Sequence, residues 1–163
     1  MEDRRDGAPV TTRRIGVISD THSLLRPEAI AALQGVERII HAGDIDTPNV
    51  LQALRTLAPV TAVRGNVDRG PWASELPTTA ALTVEQVSIY VLHSLDDLDL
   101  VPEAAGVRVV VSGHSHRPEI QERNGVLYVN PGSAGPRRFR APVSVALMDV
   151  QGTRVEVRVV PLG

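Results

Sequence analysis

The chain carries short clusters of histidine, aspartate and asparagine, the residue types that proteins use to bind divalent metal ions. Four of its five histidines lie in these clusters. In chain order the clusters are Asp20-Thr21-His22, Gly43-Asp44, Gly65-Asn66-Val67-Asp68, His93 and Gly113-His114-Ser115-His116. Imidazole, carboxylate and amide groups without sulfur suit Mn, Fe, Co, Ni or Zn and disfavour Cu(I). The residue types therefore predict a metal site built from nitrogen and oxygen ligands.

Each cluster follows a segment that is predicted to be a β-strand. The apolar runs 14–19, 38–41 and 60–63 alternate with helical patterns, which is typical of a parallel sheet. The second half contains predicted strands over 81–84, 87–92 and 107–111, a short predicted helix over 97–104, and hairpins at Asn124-Gly125 and Gln151-Gly152. Ligand sites in open α/β sheets lie beyond the carboxyl ends of the strands, so we expect the five loops to converge.

The composition narrows the class of protein. With 163 residues, 42% of them hydrophobic and 22% charged, the chain has globular values. We expect a flexible leader over residues 1–12 and a single domain over 13–163. No apolar run reaches the roughly 18 residues of a membrane span, the N-terminus lacks a secretory pattern and cysteine is absent, so a cytoplasmic protein is expected. A net charge of −2 and 2% aromatic residues argue against nucleic acid as a partner.

The ordered motifs resemble the five motifs of the calcineurin-like metallophosphoesterase superfamily. The small size of the chain, together with Asn66-Val67-Asp68 and Asn130-Pro131-Gly132-Ser133, most resembles the compact bacterial and archaeal phosphodiesterase branch. The resemblance runs from about Ile15 to Val160. It implies an α/β fold, specifically a four-layer αββα sandwich of two mixed sheets flanked by helices.

The resemblance also implies a centre of two divalent metal ions with seven ligands. The ligands of the first ion would be Asp20, His22 and His116, those of the second Asn66, His93 and His114, and the ligand bridging both Asp44. Mn²⁺ is the favoured ion, with Fe, Co, Ni or Zn as alternatives. The implied reaction is hydrolysis of phosphate esters, most of all phosphodiesters, by in-line attack of a hydroxide that bridges the metals. Asp44, Asn66 and His93 would act in catalysis through the metals.

Two positions depart from the pattern of the family. Many nucleases and phosphatases of the superfamily carry a histidine after the motif asparagine as a general acid, whereas this chain has Val67. No separate general acid is identified. Relatives usually have glycine after the fourth motif histidine, and here that residue is Ser94.

Several nearby residues are expected to support the site rather than to bind metal. His41 is expected to pack or hydrogen-bond beneath it, and Asp46 and Asp68 to orient ligands or cap loops. Arg137, Arg138 and Arg140 are expected to form a solvated basic loop, and Trp72 to cover the edge of the core.

The alternatives are a phosphomonoesterase and a non-catalytic scaffold of the same fold. A monoesterase needs a group that recognises the extra phosphate charge, and Arg137 or Arg138 is the candidate. One eukaryotic relative of this fold is a scaffold subunit of a membrane-coat complex and has lost part of its metal site, but this chain keeps all seven positions. The expected partner is a small phosphorylated substrate, such as a nucleotide-like one. No association with a membrane is expected. The sequence leaves homo-oligomerisation open.

Overall fold

The computed structural model describes residues 11–138 and 140–163, so the predicted leader lies outside the described residues except for Thr11 and Thr12. The strands are β1 (Arg13–Ile18), β2 (Arg38–His41), β3 (Val60–Ala62), β4 (Thr79–Val84), β5 (Val87–Leu92), β6 (Val109–Val111), β7 (Glu119–Arg123), β8 (Val126–Asn130), β9 (Ser144–Gln151) and β10 (Arg154–Pro161). The helices are α1 (Pro27–Ala32), α2 (Pro48–Arg55) and α3 (Pro71–Ser74), and a 3-10 turn spans Leu95–Asp97.

The strands form two five-stranded mixed sheets. The first sheet has the order β10-β9-β1-β2-β3, in which β1, β2 and β3 are parallel and β9 runs antiparallel to β1 and β10. The second has the order β4-β5-β6-β8-β7, in which β5, β6 and β8 are parallel and the edge strands β4 and β7 are antiparallel to their neighbours. The predicted α/β sandwich of two mixed sheets is confirmed.

The two sheets pack face to face through valine and isoleucine side chains. Ile15 and Val17 of β1 belong to one buried cluster with Ile89, Val91 and Val109 of the second sheet. Such β-branched side chains fit a pleated surface that is covered on both faces.

Helices α1 and α2 cover the outer face of the first sheet, where Leu33 and Leu54 are fully buried. Gly16 lets α1 approach β1 closely, since a Cβ at Gly16 would collide with the Leu33 side chain. On the outer face of the second sheet, Leu98 and Val107 from the segment after the 3-10 turn pack against Val110.

Two local predictions differ from the structure. The predicted helix over 97–104 is wrong, because a 3-10 turn forms earlier, at Leu95–Asp97, and residues 102–106 form a turn. Pro102 has no amide hydrogen and cannot lie inside a helix of that length. Helix α3 was not predicted, and it is only four residues long. The Asn124-Gly125 hairpin is confirmed, and its φ angles of 52° and 77° are those of a type I′ turn.

The parallel strands of both sheets end on the same side of the sandwich. The loops after β1, β2, β3, β5 and β6 contain the five clusters singled out above. Among the helices of the described residues, none has the length and hydrophobicity required to cross a bilayer.

Candidate metal centre

Backbone hydrogen bonds fasten the loops to one another. The Asp20 N–H donates to the Gly43 carbonyl over 3.0 Å, and the His22 N–H donates to the Asp44 carbonyl over 3.0 Å. In the second sheet, the Gly113 N–H donates to the His93 carbonyl over 2.9 Å. The clusters therefore meet because neighbouring strands end together.

Six of the seven predicted ligands fall into two compact groups, within each of which the candidate ligand atoms lie no more than 4.8 Å apart. The first group is Asp20, His22 and His116, and the second is Asp44, His93 and His114. The carboxylate of Asp44 faces both groups, since its Oδ2 lies 3.7 Å from His22 Nε2 and 3.2 Å from His93 Nε2. This grouping matches the division of ligands implied by the family resemblance.

Polar atoms with no hydrogen-bond partner among the described residues point into the space between the groups. They include Asp20 Oδ1, His22 Nε2 and His93 Nε2, all of them buried. Asp20 Oδ1 lies 3.9 Å from His22 Nε2, 4.0 Å from His93 Nε2 and 3.3 Å from His116 Nε2. Buried polar atoms are rarely left unpaired, so this donor set fits bound cations.

The tautomer of His93 sharpens this conclusion. Its Nδ1 lies 2.7 Å from the Ala42 carbonyl oxygen, which can only accept, so Nδ1 carries the hydrogen. In the neutral ring, Nε2 then presents a lone pair to the Asp44 carboxylate 3.2 Å away. Two electron-rich atoms at this distance require a proton or a metal ion between them.

The pKa values of this pair show the same demand for positive charge. Burial lowers the pKa of His93, but the neighbouring Asp44 carboxylate outweighs it and raises that pKa above its ordinary value. Burial raises the pKa of Asp44, but His93 and the Val67 N–H outweigh it and lower that pKa to about 2. Asp44 is therefore a carboxylate near neutral pH.

In the first group, the pKa of Asp20 is lowered, because the neighbouring His116 ring and the hydrogen bond from Ser19 Oγ outweigh the cost of burial. The pKa of His22 is also lowered, mainly by burial and in part by the charge of Arg138. A neutral imidazole beside a carboxylate is the state in which these side chains bind a metal ion.

His41 lies beneath the site and is fully buried. The Gly43 N–H donates to its Nδ1 over 3.1 Å, and its Nε2 lies 3.1 Å from Thr21 Oγ1. Burial lowers its pKa to about 4, so the ring is neutral. The structure confirms the prediction that His41 hydrogen-bonds under the site, where it joins the loops after β1 and β2.

Asp68 joins the loops after β2 and β3 to each other. One carboxylate oxygen accepts from the N–H groups of Asp44 and Gly65, and the other accepts from those of Ile45 and Asp46, at 2.8–3.0 Å. Sequence reasoning placed Asp68 in a supporting role but missed that it fixes Asp44. Its position three residues after Gly65 was the available signal, since Asp side chains often accept from nearby backbone groups.

Five of the seven predicted ligands have left-handed backbone conformations. Their φ angles lie between 44° and 72°, and the residues are Asp20, His22, Asp44, His114 and His116. Few non-glycine residues adopt this region, and those that do cluster at functional sites. The concentration of five such residues in three neighbouring loops therefore supports a functional site here.

Two glycines are required by close packing in these loops. A Cβ at Gly65 would collide with the backbone nitrogen and the carboxylate of Asp44. A Cβ at Gly113 would collide with the side chains of Ser19 and Asp20. The glycines in the Gly-Asn and Gly-His motifs thus allow neighbouring loops to approach the carboxylates.

Asn66, the seventh predicted ligand, lies on the exposed side of the second group. It lines a cavity of about 430 Å³ together with His93 and Arg64. A second cavity, of about 240 Å³, is lined by His114, Ser94 and Tyr128. One cavity thus adjoins the candidate metal centre at His93 and Asn66, and another adjoins it at His114.

Nearly the whole of the described part of the chain matches one known protein family. The model of the calcineurin-like phosphoesterase superfamily domain matches residues 14–153. The chain belongs to the calcineurin-like phosphoesterase superfamily. A protein of Methanothermobacter thermautotrophicus named "Probable metallophosphoesterase" is 35% identical in an alignment of 161 positions that covers 91% of this chain and 92% of that protein.

Solved structures show the same calcineurin-like fold. Vacuolar protein sorting 29 of Cryptosporidium parvum superposes with a TM-score of 0.80 at 21% identity, covering 93% of this chain and 92% of that one. A structure described as a novel archaeal phosphodiesterase superposes with a TM-score of 0.75 at 23% identity, covering 90% and 99%. These two likenesses concern the fold, whereas the family rests on the domain match and the archaeal relative.

Proposed function

We propose that this metallophosphoesterase-family protein hydrolyses phosphodiesters with two divalent cations. One cation would be held by the Asp20 group and the other by the Asp44 group. Mn²⁺ is the favoured cation, with Fe, Co, Ni or Zn as alternatives. The observation that carries the proposal is the convergence of unpaired buried atoms Asp20 Oδ1, His22 Nε2 and His93 Nε2 beside the Asp44 carboxylate. The seven proposed ligands are Asp20, His22, Asp44, Asn66, His93, His114 and His116.

The residues of the chain would prepare the site in three ways. The carboxylates of Asp20 and Asp44 supply negative charge, and the Ala42 carbonyl holds His93 in the tautomer that presents Nε2. Asp68 and His41 fix the loops on which these ligands lie. A bound pair of divalent cations would supply activation of water and charge stabilisation at the phosphate.

The two cavities favour a diester over a monoester. A phosphodiester has two organic arms, and two separate cavities adjoin proposed metal ligands, one at His114 and one at His93 and Asn66. The archaeal phosphodiesterase of similar fold is consistent with this choice. The substrate we propose is a small phosphodiester, such as a nucleotide-like one.

The test is metal analysis of the purified protein, followed by hydrolysis of 4-nitrophenyl phosphate and bis(4-nitrophenyl) phosphate with added Mn²⁺. We expect about two metal ions per chain and a higher kcat/KM for the diester. Asp44→Asn should lower kcat by at least about 100-fold, because it removes the carboxylate that faces both groups. Asp149→Asn is the matched control, since Asp149 pairs with Arg14 away from these loops.

Two results would contradict the proposal. Full activity after exhaustive chelation would show that metal ions take no part in the reaction. A protein that binds no metal and hydrolyses neither ester would instead fit a scaffold of the same fold.

A phosphomonoesterase is the second candidate, because a monoester carries an extra negative charge and the positive charge of Arg138 acts on the proposed ligand His22. Burial is the main cause of the lowered pKa of His22, and Arg138 contributes to it. The loop before Arg138 is tied to the site by Ser133 Oγ, which donates to the Asp20 carbonyl, and by Arg26, which donates to the Gly135 carbonyl. If monoesters are preferred, Arg138→Gln should raise KM for the monoester more than for the diester.

A further inference from the structure

The cavity of about 240 Å³ beside His114 differs in chemistry from the metal centre that it adjoins. It is smaller than the roughly 300–1,000 Å³ of pockets for drug-sized ligands, so it suits one arm of an ester rather than a whole nucleotide. His114, a proposed metal ligand, is part of its lining, so one arm of a phosphate ester bound at the metals would lie next to it.

Part of the cavity wall is apolar. Tyr128 and Val129 of β8 line it from one side, and Leu95, whose side chain is 39% exposed, lines it from the 3-10 turn. The Arg123 guanidinium lies 4.4 Å from the centre of the Tyr128 ring. Arg123 covers one face of the ring, so the ring contributes its remaining surface to the wall, where it can contact a flat or apolar group.

The remaining wall carries negative charge. Asp96 and Glu119 are the charged carboxyl residues that line the cavity, and no lysine or arginine within residues 11–138 and 140–163 is part of its lining. Asp96 is positioned by Ser94, whose Oγ accepts from the Asp96 N–H. Ser94, which stands where relatives usually have glycine, thus belongs to the wall of this cavity.

From these features we propose that the cavity beside His114 binds one organic arm of the ester and selects an arm that is partly apolar and carries no negative charge. The inference rests on the proposed phosphodiesterase function. Leu95 and Tyr128 would contact the apolar part of the arm, and Asp96 and Glu119 would repel a carboxylate or a further phosphate. Nucleotide-like substrates with an extra phosphate on this arm would be poor substrates.

The test compares bis(4-nitrophenyl) phosphate with bis(3-carboxy-4-nitrophenyl) phosphate, whose arms are alike apart from the added carboxylate. Because both arms of each ester are identical, the comparison does not depend on which arm leaves. We expect the wild type to prefer the uncharged ester, and Glu119→Gln and Asp96→Asn each to reduce that preference roughly threefold by removing one nearby charge. Using the ratio of kcat/KM values across variants cancels the intrinsic reactivity of the two esters.

The matched control is Glu122→Gln on the same strand. Glu122 points to the opposite face of β7 from Glu119, because side chains alternate along a strand, and its carboxylate lies 3.4 Å from Arg108. We expect this variant to keep the wild-type preference. Equal relaxation in Glu122→Gln and Glu119→Gln, or an unchanged preference in Glu119→Gln and Asp96→Asn, would overturn the assignment of the cavity.

A binding measurement separates failure of this inference from failure of the proposed function. The chain has two tyrosines, Tyr90 and Tyr128, so the ring NMR signals of Tyr128 can be assigned with Tyr90 as an internal reference. Titration of Zn²⁺-loaded protein with the uncharged ester should shift the Tyr128 signals, and the carboxylated ester should shift them less. If no ester is hydrolysed, the proposed function fails, but this titration still tests whether the cavity binds an ester arm. A Tyr128 signal that responds to neither ester would overturn the proposal for the cavity.

Discussion

Replacing Asp68 with asparagine exchanges one carboxylate oxygen for an NH₂ group. We expect this substitution to destabilise the protein more than almost any other Asp→Asn or Glu→Gln substitution. The two N–H groups of Asp44 and Gly65 both donate to Oδ2, and those of Ile45 and Asp46 both donate to Oδ1. An asparagine has only one carbonyl oxygen, so one of these pairs would face an NH₂ group at about hydrogen-bond distance. Two charge-assisted hydrogen bonds are lost whichever way the amide is turned.

The magnitude follows from the number of bonds. A hydrogen bond to a charged group contributes about 1.5–3 kcal/mol, so the loss is about 3–6 kcal/mol of the free energy of unfolding. Since domains of this kind are stable by about 5–15 kcal/mol, the variant should fold but unfold at much lower urea concentration. Metal affinity should fall as well, because the lost pair of hydrogen bonds fixes either the Asp44 backbone or the two residues that follow it.

The assay is urea unfolding of the metal-free proteins, together with Mn²⁺ titration of each. Asp46→Asn is the matched control on the same loop, because the Asp46 carboxylate is exposed and accepts from Ser23 Oγ at 2.8 Å. We expect the control to lose less than about 1 kcal/mol. The reasoning would be refuted if Asp68→Asn and Asp46→Asn unfolded at the same urea concentration.

Three further predictions concern the same loops. His41 has a pKa of about 4 in the fold and about 6.5 when unfolded, so its contribution to stability is complete above pH 6.5 and is lost as the pH falls toward 4. Relative to His41→Gln, the metal-free wild type should therefore lose about 3 kcal/mol between pH 7 and pH 4 in urea unfolding; parallel pH profiles would show that His41 does not titrate as described. Gly65→Ala should cost about 1–3 kcal/mol and weaken Mn²⁺ binding, because the new methyl group meets the Asp44 backbone, whereas Gly152→Ala faces open space and should leave Mn²⁺ binding unchanged; equal Mn²⁺ affinities of the two variants would contradict this. Val67→His places a proton donor next to Asn66, so it should speed hydrolysis of alkyl esters at least about tenfold while aryl esters change little, and similar wild-type rates on both ester classes would show that the leaving group needs no such donor.

Much of the arrangement of the site could be predicted because it depends on strand order. Apolar runs that end in Asp20, Gly43 and Gly65 predict neighbouring parallel strands, and parallel strands must end together. The same reasoning predicted that His93 and the His114 loop would join them from the second half of the chain. No long-range contact had to be known for this, since βαβ connectivity determines it.

The remaining features depend on contacts that no local pattern reveals. The four N–H groups around Asp68 come from two loops, those after β2 and β3, which approach each other only after folding. The helix expected over 97–104 was wrong because Pro102 and the Ser94 cap together favour a 3-10 turn that begins earlier. The left-handed conformations at His114 and His116 could not be foreseen, because histidine adopts them more often than most residues but still in a minority of cases.

Those left-handed conformations restrict how this site can be re-engineered for a different ion. Exchanging a side chain at Asp20, Asp44 or His116 alters the local chain geometry as well as the donor atom. Asparagine, aspartate and glycine tolerate positive φ, whereas threonine and valine do not, so a designer who wants new metal selectivity has a narrow set of replacements. Libraries built on this scaffold will contain more folded members if the five positions with positive φ are limited to asparagine, aspartate, glycine and histidine. These positions are Asp20, His22, Asp44, His114 and His116.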